Sequence, residues 1–222
     1  MRKISTAGFL VLVLLTLVCI GGCGKQQVRM PSMKPKTSQP AVQPQKTFPG
    51  KPAAKVLFIV APSMFRDEEY EIPRSILEGM GCSVTVASAT PEIAEGAYGL
   101  RVKPDLTLDK AHGSDFDAVV FVGGGGAKRY FKYAEAHRLA REAVNSGRVV
   151  GAICIAPGIL AEAGVLQGKK CTAYSSVKGL LQKKGATYTG EDIVVDGKIV
   201  TANGPQSARA FGNAVAALLK TR

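Results

Sequence analysis

The stretch Arg148-Val149-Val150-Gly151-Ala152-Ile153-Cys154-Ile155-Ala156-Pro157-Gly158-Ile159-Leu160-Ala161-Glu162 changes character at its midpoint. Residues 148–153 form a short apolar run of strand type, and 155–162 follow a helical pattern. Cys154 stands at the junction. A sharp strand-to-helix turn at the carboxyl edge of a parallel sheet lifts one side chain off the backbone and points helix amides at it, which favours thiolate over thiol. Free cysteine is otherwise among the most buried and inert residue types. Position alone leaves Cys154 open between nucleophile and core residue, and the surrounding sequence favours the nucleophile.

Outward from this elbow, apolar runs alternate with amphipathic helical stretches. Lys55 to Ala61 reads as a buried strand, Glu69 to Met80 as a helix ended by Gly81, and Ser83 to Ser88 as the next strand. Asp117 to Val122 and Cys171 to Tyr174 are further strands, with helices near Ala134 to Asn145, Ile155 to Ala163, Ser176 to Lys184 and Ser207 to Lys220. Ile193 to Val195 and Lys198 to Thr201 flank Asp196-Gly197, a pair that favours a hairpin. The alternation predicts one α/β domain over residues 55–222, with a mostly parallel sheet covered on both faces. Ligands in such sheets bind at the carboxyl ends of strands, where Cys154 falls.

The N-terminal part reads differently. Arg2 and Lys3 precede an apolar stretch from Ala7 to Ile20, followed by Gly21-Gly22-Cys23-Gly24. This is the form of a secretory signal, too short for a comfortable membrane span of roughly 20 apolar residues. Ile20-Gly21-Gly22-Cys23 also resembles a bacterial lipobox. The expectation is a signal peptide over 1–22 and a mature chain anchored through lipid on Cys23, since two or more acyl chains at one residue give stable attachment. Gly24 stands where an inner-membrane retention signal would carry Asp. The predicted location is the cell envelope, on the periplasmic or extracellular face of a membrane. Residues 23–54 are rich in Pro, Gln, Lys, Ser and Thr and cannot bury a core, so they read as an extended tether.

The formal net charge of +12, from 29 basic and 17 acidic residues, is unevenly spread. Residues 1–54 hold Arg2, Lys3, Lys25, Arg29, Lys34, Lys36, Lys46 and Lys51 and no acid, which leaves 21 basic against 17 acidic residues, or +4, for residues 55–222. Much of the basicity thus belongs to the leader and tether, where it favours an anionic membrane surface. Aromatic residues make up 6% of the chain and Trp is absent, which argues against nucleic-acid binding by stacking on a basic face. Neither Cys-x-x-Cys nor His-x-x-x-His spacing occurs, so no metal site is expected.

Three segments converge on the edge that carries Cys154: Met64 to Pro73 after the first strand, Gly123-Gly124-Gly125-Gly126, and the elbow itself. A glycine run after a strand can be a simple tight turn, and this one lacks the Lys-Ser/Thr ending of a nucleotide-binding loop. Together the segments resemble the ThiJ/PfpI superfamily. The resemblance runs nearly from Lys55 to Leu219 and rests on Phe65-x-Asp67-x-Glu69-x-x-x-Pro73, the Gly pair after Asp117-Ala118-Val119-Val120, and Ala152-Ile153-Cys154-x-Ala156-Pro157. Ala163 to Lys170 and Asp196-Gly197 continue it. It implies a flavodoxin-like, doubly wound sheet with a nucleophile elbow at Cys154, Glu69 beside the thiol, and the amides of Gly124 and Ile155 as an oxyanion site. It also implies a homo-oligomer, a dimer or larger.

A carboxylate beside a thiol raises the thiol pKa when ionised, so the pair works best with Glu69 desolvated and protonated while helix amides lower the Cys154 pKa. Without Cys154, Glu69 would read as a helix-capping acid. Asp67, Glu68 and Glu71 read as solvated. Two departures from peptidase-like relatives stand out: Ile155 follows the cysteine where they carry His, and Lys128 stands where they carry an acid donated across a subunit interface. His112, in a polar loop, and His137, opening a helix, read as surface residues, so a Cys-His pair of adjacent residues is not available. Cys82 and Cys171 read as small core residues whose pairing stays open.

The leading expectation from the resemblance is a cysteine-dependent enzyme of glyoxalase III or deglycase type, acting on methylglyoxal or similar reactive carbonyls without a dissociable cofactor. The alternative is a non-enzymatic redox sensor or stress-response binding protein in which Cys154 is oxidised. A cysteine peptidase or amidase ranks third, for want of a base.

Overall fold

The computed structural model describes residues 53–221. The predicted signal peptide, Cys23 and the tether through residue 52 lie outside the described residues. The elements run β1 (Lys55–Ile59), β2 (Ser63–Phe65), α1 (Asp67–Gly79), β3 (Ser83–Ser88), β4 (Ala94–Gly96), β5 (Arg101–Val102), β6 (Leu106–Thr107), β7 (Ala118–Phe121), α2 (Ala134–Asn145), β8 (Val149–Ile153), α3 (Pro157–Glu162), β9 (Lys170–Cys171), α4 (Lys178–Lys183), β10 (Thr187–Tyr188), β11 (Ile193–Asp196), β12 (Ile199–Ala202) and α5 (Ala208–Lys220).

Seven strands form the central sheet in the order β11-β12-β8-β7-β1-β3-β6, parallel throughout except for the β11–β12 hairpin around Asp196-Gly197. The three central strands are buried almost without interruption, which is why they read as continuous apolar runs instead of alternating ones. Helices cover both faces. α2 buries Ala136, Leu139, Ala140 and Ala143, the single stripe that a half-buried helix requires. α1 and α5 pack on each other, close enough that a Cβ on Gly212 would meet Pro73 Cα at 2.9 Å. Gly151, in mid-strand, lets the Phe211 ring of α5 approach the sheet; a Cβ there would meet the ring at 2.7 Å. The result is the doubly wound, flavodoxin-like α/β fold.

Chain direction sets the position of the site. From β1 the chain crosses to β3 on one side and then to β7 on the other, so the strand order reverses at β1 and β7. Loops leave in opposite directions at such a switch point and open a crevice at the carboxyl edge. The segments after β1, after β7 and after the neighbouring β8 all end there.

One expected strand changes. Of the strand expected over Cys171 to Tyr174, only Lys170–Cys171 forms, and it pairs with β10 outside the central sheet. Side-chain and elbow acceptors take the next amides: Thr172 N–H donates to Thr201 Oγ1 (2.9 Å) and Tyr174 N–H to the Cys154 carbonyl (2.8 Å). Short strands β2, β4 and β5 form a separate small sheet, and Gly125–Lys132 winds into a 3₁₀ turn; both are too short or too irregular to carry a legible period.

Candidate active site

Cys154 adopts φ 62°, a left-handed conformation that costs a non-glycine residue energy and is typical of a strained turn between strand and helix. Its N–H is held by the Ala202 carbonyl (2.9 Å) and its own carbonyl by Tyr174 N–H, so both neighbouring segments fix the elbow. The thiol is partly buried, and the amides of Gly124 and Ile155 are directed at its sulfur. These are the two amides expected from the sequence. Gly124 itself has φ 91° and no space for a Cβ, because the Met64 carbonyl and the Arg66 amide press on its Cα.

Glu69, in the first turn of α1, is fully buried. Neither of its carboxyl oxygens finds a hydrogen-bond partner of good geometry. Its nearest donors are the Cys154 thiol and the Gly123 amide. Gly123 is the floor between the two groups, since a Cβ there would collide with Glu69 Oε2, with Cys154 Cβ (2.6 Å) and with the Ile153 carbonyl (2.6 Å). Pro73, one turn after Glu69 in the same helix, supplies no N–H to the Glu69 carbonyl.

Burial raises the Glu69 carboxyl from 4.5 to about 7, against the pull of Cys154, the Arg66 guanidinium and the Gly123 amide. Burial and then the charge of Glu69 push the Cys154 thiol up to about 12. The Gly124 and Ile155 amides pull the thiol the other way, as expected, but they are outweighed. The elbow therefore does not hold a standing thiolate beside a protonated Glu69. At neutral pH it holds a thiol beside a carboxyl group that is partly ionised, so Glu69 can take the thiol proton at the moment the sulfur attacks.

A family model described as the DJ-1/PfpI family matches residues 54–218. The chain belongs to the DJ-1/PfpI family. A deglycase of Pyrococcus horikoshii is 36% identical over 166 residues, which cover 75% of this chain and 99% of the relative. A glutathione-independent glyoxalase of Caenorhabditis elegans is 26% identical over 155 residues, covering 70% of this chain and 83% of the relative. A crystal structure of a ThiJ/PfpI domain protein from Brachyspira murdochii superposes with a TM-score of 0.75 at 32% identity and covers 78% of this chain and 99% of that one.

Against that family background, the residues around the pair sort clearly. Asp67 is not solvated as the sequence suggested. It is 6% exposed and accepts the amides of Tyr98 (3.0 Å) and Leu100 (2.9 Å), which clamps the loop between β4 and β5 to the start of α1. Gly96 is required there because a Cβ would run into the Asp67 carboxylate. Glu68 is half-buried and holds the Arg66 guanidinium (2.8 Å), which also lies over the Tyr98 ring at 4.5 Å; Glu71 is exposed.

Neither histidine reaches the thiol. His112 is 59% exposed beside Glu142, and His137 Nε2 lies 3.0 Å from the Phe131 carbonyl. Ile155 is buried behind the elbow, and Lys128 is exposed. Cys171 is a buried free thiol in β9, and Cys82 is buried at the start of β3. β9 lies beside β11, and β3 is five strands along the sheet from β11, so a bridge between Cys82 and Cys171 is out of reach. Among the described residues no cluster of His, Cys, Asp or Glu has the arrangement of a metal site.

Proposed function

We propose that this protein is a cysteine-dependent enzyme acting on reactive carbonyl compounds, in a glyoxalase- or deglycase-type reaction without a dissociable cofactor. The observation that carries the reading is the pocket shared by Cys154 and Glu69: a thiol on a strained elbow, a buried carboxyl beside it with its pKa near neutrality, and two amides facing the sulfur. The names of the Pyrococcus and Caenorhabditis relatives support the same chemistry.

For a 2-oxoaldehyde the steps are as follows. The Cys154 sulfur adds to the aldehyde carbon while Glu69 accepts the thiol proton, and the Gly124 and Ile155 amides stabilise the oxyanion that develops. Glu69 returns its proton to that oxygen, which gives a hemithioacetal and restores the carboxylate. Glu69 then moves the proton on the former aldehyde carbon to the adjacent carbonyl carbon while the hydroxyl proton passes to the oxygen of that carbonyl, which leaves a thioester of a 2-hydroxy acid. Water cleaves the thioester and restores the thiol. The sum is methylglyoxal plus water giving lactate.

The test is incubation of the full chain with methylglyoxal, with and without Cys154→Ser, while lactate is followed. Turnover that disappears in the variant supports the reading. A folded protein that makes no lactate but whose Cys154 is oxidised once per chain by peroxide would replace it with the redox-sensor reading.

Export and lipid anchoring are part of the proposal and are supported by Arg2-Lys3, the apolar stretch Ala7 to Ile20 and Gly21-Gly22-Cys23. Cys23→Ala should shift the protein from the membrane fraction to the soluble fraction of the expressing cell. A homo-oligomer is proposed from the family resemblance, and light scattering of the full chain in detergent would measure it.

A further inference from the structure

The head of α1 departs from what a helix N-terminus favours. The N-cap residue is Arg66, where a short polar side chain is preferred, and its side chain makes no capping hydrogen bond. A cation there also opposes the helix dipole, which favours negative charge at this end. Helix stability therefore gives no reason for Arg66. A local rule broken beside a reactive pair of groups points to function.

The first turn brings Arg66 and Glu69 together. They are the N-cap and N3 residues, the two positions that meet in a capping box, where an acid at N3 reaches back to the N-cap amide. Here that amide is already taken, because Arg66 N–H donates to the Gly123 carbonyl at 3.1 Å. Glu69 is released from capping and lies buried beside Cys154. The Arg66 guanidinium is fixed over the same turn. Its Nε donates to Glu68 Oε2 at 2.8 Å and its Nη2 to Glu68 Oε1 at 3.4 Å, and it lies over the Tyr98 ring at 4.5 Å. Tyr98 is in turn tied to α1 through Asp67, so the cation is braced from two elements.

The groups that act on the Glu69 charge come from three segments. On α1, Arg66 favours the carboxylate and Glu68 opposes it; the Cys154 thiol of the elbow and the Gly123 amide after β7 both favour it. Asp67 is turned to the amides of Tyr98 and Leu100. Arg66 and Glu68 are thus bonded to each other and yet pull on Glu69 in opposite senses.

We propose that Arg66 is a positioning residue for the Cys154 reaction: its guanidinium, held at the head of α1 by Glu68 and Tyr98, keeps Glu69 able to ionise and accept the thiol proton near neutral pH. Glu68 fixes the guanidinium in place and at the same time moderates its charge. In a partly buried site such a charge is screened less than on the open surface. The proposal rests on the reading of Cys154 and Glu69 as the reacting pair, but its first test needs no turnover.

The full chain, with isotope-labelled glutamate carboxyls, is titrated by NMR in detergent, and the Glu69 resonance is the one missing from Glu69→Gln. Arg66→Gln removes the favourable charge and should move the Glu69 midpoint to higher pH. Glu68→Gln removes the opposing charge and should move it to lower pH. Each displacement should be about threefold or more in the ionisation constant. Arg66→Lys keeps the charge and should titrate near the native midpoint. Both glutamine substitutions break the same ion pair, so a purely structural role for that pair would move Glu69 in one direction in both variants, or in neither. That outcome overturns the proposal. If Arg66→Gln fails to fold, Glu68→Gln decides alone by the sign of its displacement.

The second arm follows kcat/KM for methylglyoxal against pH. The limb on which turnover rises as Glu69 ionises should move up in Arg66→Gln and down in Glu68→Gln. Opposite displacements of the Glu69 midpoint without lactate from any of the proteins would reject the proposed reaction and keep Arg66 as the residue that controls Glu69. Lactate formation with a limb that neither substitution moves would keep the reaction and reject the role of Arg66.

Discussion

Glu69 and Cys154 reach one pocket from two different strand-to-helix connections and shift each other in opposite directions: burial leads the rise in both, the Glu69 charge adds to the rise at Cys154, and the Cys154 thiol holds Glu69 down. The first prediction separates their charges. In Glu69→Gln the carboxylate that opposes thiolate formation is gone, so the pH dependence of Cys154 alkylation should move to lower pH than in the native protein. Turnover should nevertheless fall by about 10²–10⁴-fold, the usual worth of a general acid or base. A variant with a more accessible thiolate and less catalysis would assign Glu69 to proton transfer instead of simple thiol activation. An alkylation profile unchanged by the substitution would mean that the two groups are not coupled.

Gly123 should tolerate no side chain. A Cβ at this position meets Glu69, Cys154 and the backbone of β8 at once, and two of those three neighbours are rigid. Gly123→Ala should therefore force the elbow away from α1, with a stability loss of about 1–3 kcal/mol by overpacking and loss of turnover well beyond it. Gly125→Ala is the control, since nothing lies within 4 Å of the place its Cβ would take. Urea denaturation and lactate formation on both variants would check this, and similar behaviour of the two would remove Gly123 from the site.

The elbow was legible because the change from apolar run to helical period at Cys154 is local, and the central strands were legible because burial on both faces leaves long apolar runs. Glu69 was legible only through its place in Phe65-x-Asp67-x-Glu69-x-x-x-Pro73, since an acid in a first helical turn is ordinary on its own. The role of Asp67 was not legible, for a physical reason. Its partners are the amides of Tyr98 and Leu100, more than thirty residues on, and a sequence does not distinguish a carboxylate facing water from one facing a distant loop. The direction of the amide effect on Cys154 was also legible, but its size against burial and the Glu69 charge depends on the depth of the pocket.

Asp67 yields a third prediction. Its two hydrogen bonds hold the loop that carries Tyr98 against α1, and Tyr98 in turn stacks on Arg66. Asp67→Ala strands two amides and should cost about 2–3 kcal/mol. Hydrogen exchange should quicken at Tyr98 and Leu100 while the β1, β7 and β8 amides keep their protection. Global loss of protection would show that the loop is integral to the sheet's stability instead of being clamped onto it.

The raised Glu69 pKa also makes stability depend on pH in a direction opposite to that of an ion-paired carboxylate. The folded protein binds this proton more tightly than the unfolded chain, so the favourable contribution is fully present below the unfolded pKa of 4.5 and is lost as pH rises through about 7. A difference of that size corresponds to about 3 kcal/mol. Glu69→Gln cannot titrate, and the thiol it relieves of the Glu69 charge is still raised by burial, the largest cause of its shift. The stability of Glu69→Gln minus that of the native protein should therefore grow by about 3 kcal/mol between about pH 4 and pH 8, measured by urea denaturation at each pH. Cys154 does not interfere, because its own shift, from 9.0 to about 12, acts above this window. A flat difference would mean that Glu69 keeps an ordinary acidity in the fold, and the proton transfers assigned to it would then lack their chemical basis.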